Sequence, residues 1–457
     1  MSLRNMTRAA FFLLVLASAA HAAPPAEWLV APNGVARYVE DPVFGGRVAV
    51  YQAGPANAKE TAVLVHGLGK AAARDWARVI PALAERYRVV AIDLPGFGTS
   101  DKGNHHYSPD NFARVLDAVL QGLAPQPFAL VGHSMGAAVA LAYAAAYPQR
   151  VSRLVLVDAA GVLHLSVYTE FLARVGAQRA IGADSPWFEP VVRAIQNRME
   201  NFPVRAALVL ENADVRHRIL RGDPSAISAV AMVEHDFSQS LRAMTVPTLV
   251  IWGADDRIAP LRTGQALASA IPQARLVVLE GIGHAPMLEA PERFNPIVLD
   301  ELDGRQLAAP PYALAAAPVS GNRAARCDGG RDQEFTGDFE SLVLANCQQA
   351  RITNARIGRL EVTRSTVRIV NSHVRDAVQA RGSRLELTGG ALAGRLQLDA
   401  SNVDAAATRF EADAIAANSG KTPVVLRLSV AQVSRSGYTP LPLHDIVRLA
   451  PGETLIR

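Results

Sequence analysis

Leu130-Val131-Gly132-His133-Ser134-Met135-Gly136 decides how the rest of the chain is read. Gly132 to Gly136 fits G-x-S-x-G, the nucleophile elbow, a sharp turn from strand into helix that presents a serine hydroxyl. Such a hydroxyl attacks poorly unless a base takes its proton and the backbone holds it in the open. Glycine on both sides lets the turn close where any Cβ would clash. The neighbouring residues agree with this reading. Phe128 to Val131 reads as a short buried strand, and Ala137 to Tyr143 as the start of a helix whose small residues permit close packing under the turn. The bare pattern recurs by chance in long chains; the strand before it and the helix after it single out Ser134.

Working outward, short apolar runs alternate with helical spacing. Arg47–Tyr51, Thr61–Val65, Arg88–Ile92, Leu154–Asp158, Thr248–Trp252 and Arg275–Leu279 read as strands. Arg74–Arg86, with Trp76, Val79, Ile80 and Leu83 in phase, and Asn111–Leu123 read as helices. Alternation of this kind predicts a mostly parallel, doubly wound sheet covered by helices on both faces. Ligands bind beyond the carboxyl ends of such strands, where His66, Asp93, Ser134 and Asp158 fall. His66-Gly67-Leu68-Gly69 follows a strand directly, and a turn of this kind can aim a backbone N–H at a developing oxyanion. Between Leu163 and Ala243 the alternation stops. That helical insertion carries Trp187, Phe188, Met199, Phe202, Met232 and Phe237 and reads as a cap, most of these side chains filling its own core and a few lining a pocket.

After Ser134 comes an acid loop, Gly253-Ala254-Asp255-Asp256-Arg257-Ile258-Ala259-Pro260, and then Gly283-His284 with Glu289, Pro291 and Phe294. Serine, acid, histidine in that order is the chain order of an α/β-hydrolase triad. On these pieces, with His66 to Gly69 and Asp93-Leu94-Pro95-Gly96-Phe97-Gly98-Thr99-Ser100, residues from about Pro32 to Leu302 resemble the α/β-hydrolase superfamily. The resemblance is to its capped serine hydrolases, a group that includes esterases, meta-cleavage-product C–C hydrolases and epoxide hydrolases. It implies Ser134 as nucleophile, His284 as base, and backbone N–H groups of Leu68 and Met135 as oxyanion donors. The family pattern G-x-x-D-x-x-x-P places the acid at Asp256. Asp255 competes, because a one-residue loop shift would exchange the two, and Asp158 competes because some relatives carry the acid after that earlier strand. Serine rather than aspartate at the elbow argues against epoxide hydrolase and dehalogenase chemistry. His66 and His133 read as positioning residues. No Cys/His/Asp cluster has metal-ligand spacing, so neither metal nor cofactor is expected.

The chain has 457 residues, enough for two domains, and a net charge of +4, too weak to point to nucleic acid. Arg4 and Arg8, the apolar run Ala9–Ala19 and the A-x-A triplet Ala20-His21-Ala22 read as a cleavable signal peptide, residues 1–22, cut after Ala22. The mature protein is therefore expected in the periplasm or secreted. Export permits a disulfide, so Cys327 and Cys347 either pair or both stay free, with pairing preferred.

The expected organisation is hydrolase core over 23–162 and 244–303, cap over 163–243, an Ala/Pro-rich linker over 304–333 and a repeat domain over 334–457. In the repeat, Leu342, Leu360, Val378, Leu396 and Ala414 step by about 18 residues, as do Leu344, Val362, Ala380, Leu398 and Ala416. Cys347, Ser365, Ser383, Ser401 and Ser419 keep the same step, and Val374, Leu392 and Phe410 form a further column. Apolar pairs at i and i+2 mean strands with alternate residues inward, and columns of serine mean turns at one corner. The expectation is a parallel β-solenoid or β-helix, closed at its end by a segment holding Pro440, Pro442 and Pro451. Arg351, Arg356, Arg359, Arg364, Arg368, Arg375 and Arg384 make its early coils basic, read as a solvated face in preference to an anion-binding one.

The sequence thus supports an exported serine hydrolase acting on a small acyl or ester substrate, its solenoid attaching the enzyme to the envelope or to another copy. The alternative is an envelope binding protein whose solenoid does the binding over a degenerate hydrolase scaffold. C–C bond hydrolysis ranks lower, since it serves cytosolic catabolism and this chain carries an export signal. With all catalytic pieces before Leu302, the hydrolase part is expected to fold by itself.

Overall fold

The structure, a computed structural model, describes residues 23–164, 166–168, 171, 206–305, 312, 323–411, 417–434 and 441–455. Residues 1–22, expected to be a signal peptide, the insertion residues Trp187, Phe188, Met199 and Phe202, the repeat positions Ala414 and Ala416, and Pro440 lie outside the described residues. No helix among the described residues is long and apolar enough to cross a membrane.

The first sheet has eight strands: β1 (Val35–Glu40), β2 (Arg47–Ala53), β3 (Thr61–Val65), β4 (Arg88–Ile92), β5 (Phe128–His133), β6 (Val151–Val157), β7 (Thr248–Gly253) and β8 (Arg275–Leu279). Their spatial order is β1-β2-β4-β3-β5-β6-β7-β8. The pairs β1–β2 and β2–β4 are antiparallel, and every later pair is parallel. The central strands are rows of Val, Leu, Ile and Ala buried on both faces, the expected composition for a parallel sheet under helices. β1 precedes the first strand read from the sequence. It is a half-exposed edge strand whose burial alternates poorly, so it lacks the apolar run that marked the others. The helix read over Arg74–Arg86 is two short pieces, a 3-10 turn at Ala72–Trp76 and one turn at Ile80–Leu83. Pro81 at its start cannot donate to the preceding turn, so one continuous helix cannot form there. The helix Pro109–Leu120 begins where Ser108 Oγ accepts the Asn111 N–H at 3.2 Å, a side-chain cap.

The second domain is all-β: β9 (Ala324–Asp328), β10 (Glu334–Ala345), β11 (Ala350–Thr363), β12 (Thr366–Val370), β13 (His373–Arg381), β14 (Arg384–Thr388), β15 (Ala391–Leu392), β16 (Arg395–Asp399), β17 (Asn402–Ala406), β18 (Arg409–Phe410), β19 (Ala417–Asn418), β20 (Val424–Val433) and β21 (Leu441–Leu449). Eight of these close a parallel barrel by pairing, in the circuit β11-β13-β15-β18-β20-β17-β14-β12 and back to β11. Leu342 pairs with Leu360, Leu360 with Val378 and Val378 with Leu396, so the apolar column is one inward row. The serine column is a hydrogen-bonded ladder. Ser365 Oγ accepts the Cys347 N–H (2.9 Å), Ser383 Oγ that of Ser365 (3.1 Å) and Ser401 Oγ that of Ser383 (2.9 Å). β21 runs antiparallel to β20 and ends the parallel register. Cys327 and Cys347 are bonded. The arginines of the early strands meet acids: Arg351 with Glu334, Arg356 with Asp338 and Arg368 with Glu386 across strands, and Arg375 with its chain neighbour Asp376. Paired in this way they make a solvated ladder of weak contacts rather than a positive field.

The two domains are not independent. Ala406, Ala407 and Val430 of the β domain sit in the same apolar cluster as Leu156, Phe237 and Trp252 of the hydrolase. Arg262, at the start of the helix Leu261–Ala270, reaches into the β domain with its side chain only 12% exposed. It donates to Asp404 Oδ2 (2.9 Å), Asp404 Oδ1 (3.0 Å), Thr388 Oγ1 (2.9 Å) and the Leu387 carbonyl (2.9 Å). Asp404 is itself buried. Between them Tyr312 pins the linker, its N–H on the Ala274 carbonyl (2.9 Å) and its carbonyl on Asn371 Nδ2 (2.7 Å). The seam bears on the expectation of a self-sufficient hydrolase half: cutting after Gly304 would open this apolar cluster and strip Arg262 of its acceptors.

Arg262→Ala should leave Asp404 buried without its cation and cost about 3–5 kcal/mol of stability in chemical denaturation. The double variant Arg262→Met, Asp404→Leu should recover part of that loss, because no lone charge is left behind.

Candidate active site

Ser134 stands between β5 and the helix Met135–Ala146 with φ 52° and ψ −117°. A non-glycine residue held at positive φ is a strained one. Crowding keeps it there. A Cβ on Gly132 would lie 2.3 Å from the Gly136 carbonyl oxygen, and one on Gly136 would lie 2.3 Å from that of Val65. The Ser134 N–H is fixed to the Val157 carbonyl at 2.9 Å, tying the turn to β6. Gly67 passes so close that a Cβ there would meet Ser134 Cβ at 3.0 Å. That contact brings the turn carrying Leu68 to the serine. Met135 opens the helix, where the first N–H groups have no acceptor inside the helix.

His284 Nε2 lies 3.0 Å from Ser134 Oγ, and His284 Nδ1 lies 2.7 Å from Asp256 Oδ2. The structure thus brings Ser134, His284 and Asp256 into one hydrogen-bonded chain. The Asp256 side chain is fully buried and that of His284 is 20% exposed. Asp256 Oδ1 accepts the N–H groups of Ile258 (2.7 Å) and Ala259 (3.0 Å), so the acid is aimed by its own loop. Asp255 is exposed, and its backbone N–H bonds the Ile282 carbonyl at 2.9 Å. Asp158 is completely buried at the end of β6 and accepts the Gly253 N–H at 2.9 Å.

The His284 loop is held from both sides. Glu289 accepts the Gly283 N–H (2.8 Å) and the Ala285 N–H (3.0 Å), bracketing the histidine. His133, beside the serine, donates from Nε2 to the His284 carbonyl at 2.7 Å, with the two rings 4.9 Å apart. Burial, with the neighbouring His284 adding to it, pushes His133 down to about 3. His66 accepts the Leu94 N–H at Nε2 (3.0 Å) and donates from Nδ1 to the Gly67 carbonyl (2.7 Å), and burial lowers its pKa too. Both histidines therefore sit as neutral braces, His66 on the Gly67–Leu68 turn and His133 on the His284 loop. Asp93 accepts from Tyr51 Oη (3.0 Å), Thr99 N (2.9 Å) and Ala73 N (2.9 Å), and so serves the loop after β4 rather than the triad. Tyr168, half-buried, lies close enough to Asp256 for that charge to add to the burial that raises its phenol. Nothing in the sequence around Tyr168 set it apart from the other aromatic residues of the insertion.

The sequence pattern of the alpha/beta hydrolase fold family matches residues 62–291. A 2-hydroxy-6-oxononadienedioate/2-hydroxy-6-oxononatrienedioate hydrolase of Cupriavidus pinatubonensis is 33% identical over 256 residues, 53% of this chain and 86% of that protein. The chain belongs to the alpha/beta hydrolase fold family. A hydrolase of the same description from Paraburkholderia phymatum is 33% identical over 282 residues, 58% of this chain and 95% of its own. Among solved structures, a thermophilic esterase from Thermogutta terrifontis is 27% identical, with a TM-score of 0.43 over 60% of this chain and 100% of that one. The match leaves the β domain of this hydrolase outside the family pattern.

The buried His133 makes acid stability testable. The folded protein keeps it neutral down to about pH 3, whereas the unfolded chain takes up that proton near 6.5. Within that window the unfolded state binds more protons, so stability falls as pH falls. Replacing His133 by Asn should reduce the slope of unfolding free energy between pH 6.5 and 4 by up to about 1.4 kcal/mol per pH unit, one proton's worth, in denaturant titrations at stepped pH.

Proposed function

We propose that this protein is an exported serine hydrolase that cleaves a carboxylic ester or related acyl compound through an acyl-enzyme. The observation that carries the reading is the contact chain from Ser134 Oγ through His284 to the buried Asp256. His284 Nε2 takes the Ser134 proton as Oγ attacks the carbonyl carbon. Asp256 holds Nδ1–H, sets the tautomer and stabilises the imidazolium that forms. The tetrahedral oxyanion meets the N–H groups of Leu68 and Met135, each such donor being worth roughly 3–4 kcal/mol. His284 then gives its proton to the leaving alcohol, and water, deprotonated by the same nitrogen, releases the acid and restores Ser134. The site is built from groups that need no cofactor for this chemistry.

A second reading, C–C bond hydrolysis, is favoured by the relatives named above, whose descriptions specify oxo-dienedioate substrates. Against it stands the signal-peptide pattern of residues 1–22, which directs the chain to the periplasm or beyond, away from cytosolic ring catabolism. The β domain we read as a solenoid of coils about 18 residues long, supported by the constant step from Leu342 to Leu360, Val378 and Leu396 and by the serine ladder. Its place is beside the acid loop as a brace, with attachment to the envelope or to another copy as its outward role.

The mature protein should turn over p-nitrophenyl esters of graded chain length and take a fluorophosphonate label at Ser134. Ser134→Ala should abolish both while melting normally. Turnover of a 2-hydroxy-6-oxo-dienedioate with no ester activity would decide for the second reading. Asp256→Asn should lose far more kcat than Asp255→Asn, since one carboxylate alone holds the imidazole; the reverse ranking would move the acid to Asp255. A triad that depends on a single acid loses about 10⁴ in kcat by this change.

A further inference from the structure

We propose that Asp158 is a reserve acid of the triad, placed to hold the His284 imidazole when Asp256 cannot. The proposal rests on the serine-hydrolase reading and goes beyond it by adding a fourth side chain to the site. One ligand atom each of Asp158, Asp256 and His284 lie within 4.8 Å of one another. Asp158 is held at a strained backbone angle, φ 43°, at the tip of β6. It is 0% exposed, and its Oδ1 is fixed by the Gly253 N–H at the end of β7 (2.9 Å). Its Oδ2 is buried beyond the reach of any N–H or O–H donor among the described residues, and the side-chain hydrogen bond that Asp158 makes is to the Asp256 carboxyl. A buried carboxyl without a donor of its own is satisfied by sharing a proton with a neighbouring carboxyl, and this one shares it with the acid that holds His284. The charged and titratable groups that face it are Asp256, His284 and Glu289.

Two carboxyls at this distance cannot both ionise in a dry site. Burial first, and the Asp256 charge second, raise Asp158 well above the usual carboxylate range. In the intact enzyme Asp158 is thus the neutral acid, its proton directed at the Asp256 carboxylate, while Asp256 carries the charge that His284 uses. When Asp256 loses its charge, the repulsion that kept Asp158 protonated goes with it. Asp158 then releases its proton to solvent and accepts the His284 Nδ1–H in place of Asp256. No covalent bond changes; one proton leaves and one hydrogen bond is exchanged. Because Asp158 stays buried, its ionisation is completed at a pH above that of an ordinary carboxylate, and the surviving activity follows it.

The test compares the mature wild-type protein, Asp256→Asn and the double variant Asp158→Asn, Asp256→Asn on one p-nitrophenyl ester, with kcat/KM followed across pH. Asn at 158 keeps an oxygen for the Gly253 N–H, and thermal melting checks the fold. The expected result is that Asp256→Asn falls short of the about 10⁴-fold loss of a single-acid triad. Its acid limb should lie at higher pH than that of the wild type. Adding Asp158→Asn should remove at least a further tenfold and abolish that displaced limb. A double variant no slower than Asp256→Asn would overturn the proposal. Should the double variant fail to fold, an acid limb in Asp256→Asn at the wild-type position overturns it equally. A wild-type protein that neither turns over esters nor takes fluorophosphonate at Ser134 would overturn the serine-hydrolase reading and this proposal with it, whereas an active wild type with the wrong variant ranking sinks this proposal alone.

Discussion

The positive φ of Ser134 is the constraint on which this site depends. A serine left to itself avoids that backbone region, at a cost of order 1–3 kcal/mol. Here it is over-determined by close approach: Gly132 against Gly136, Gly136 against Val65, and Gly67 against Ser134 itself. Each approach exists because a Cβ is missing: the first closes β5 onto the helix, and the other two bring β3 and the loop after it against the turn. The Ser134 N–H on Val157 adds β6 to the same knot. Packing of β3, β5 and β6 thus sets the position of one hydroxyl.

Around this turn the site solves a problem of charge in a dry place. Its histidines divide into one that bonds Ser134 and two that do not. His66 and His133 are buried, have their pKa values pushed down, and spend their N–H groups on the carbonyls of Gly67 and His284. They brace the loops without adding positive charge beside the imidazolium that must form. The carboxyls divide in the same way. Asp256 has the Ile258 and Ala259 N–H groups to stabilise a charge, whereas Asp158 has the Gly253 N–H alone, and burial raises its carboxyl well above the usual range. The number of donors around each carboxyl decides which of the two is the acid of the triad.

Much of this was legible in the sequence because it is local. The strands at Thr61–Val65, Arg88–Ile92 and Arg275–Leu279 match the structure residue for residue, each an apolar run closed by charged or turn residues. Ser134 and His284 were marked by glycines that a tight turn requires. The pattern G-x-x-D-x-x-x-P favoured Asp256 over Asp255, and the side chain on His284 Nδ1 is that of Asp256. β1 was missed because an edge strand with one half-wet face has no apolar run to announce it. The seam between the domains was missed for a different reason. Arg262 reads as a surface arginine at a helix start, and its acceptors lie 125 to 142 residues further along the chain. Neither periodicity nor composition carries information over that span. The repeat was visible as columns, yet columns report how strands stack and say nothing of what the stack leans on.

That seam ties the β domain to the chemistry. Only five residues of backbone separate Asp256 from Arg262, and they are ordered at both ends. Asp256 Oδ1 holds Ile258 and Ala259, while Pro260, in extended conformation, starts the helix that carries Arg262. Arg262 in turn is fixed to a carbonyl, a hydroxyl and a buried carboxylate of strands β14 and β17. Here the first turn of that helix is bonded to a stack of parallel strands whose inward rows are continuous apolar contact. A guanidinium with several rigid acceptors has little freedom to shift, because each acceptor restricts a different direction. The β domain therefore restricts the loop that carries Asp256, the partner of His284 Nδ1. An attachment that looks like an appended module from the order of the chain acts, in the folded protein, as part of the wall behind the triad.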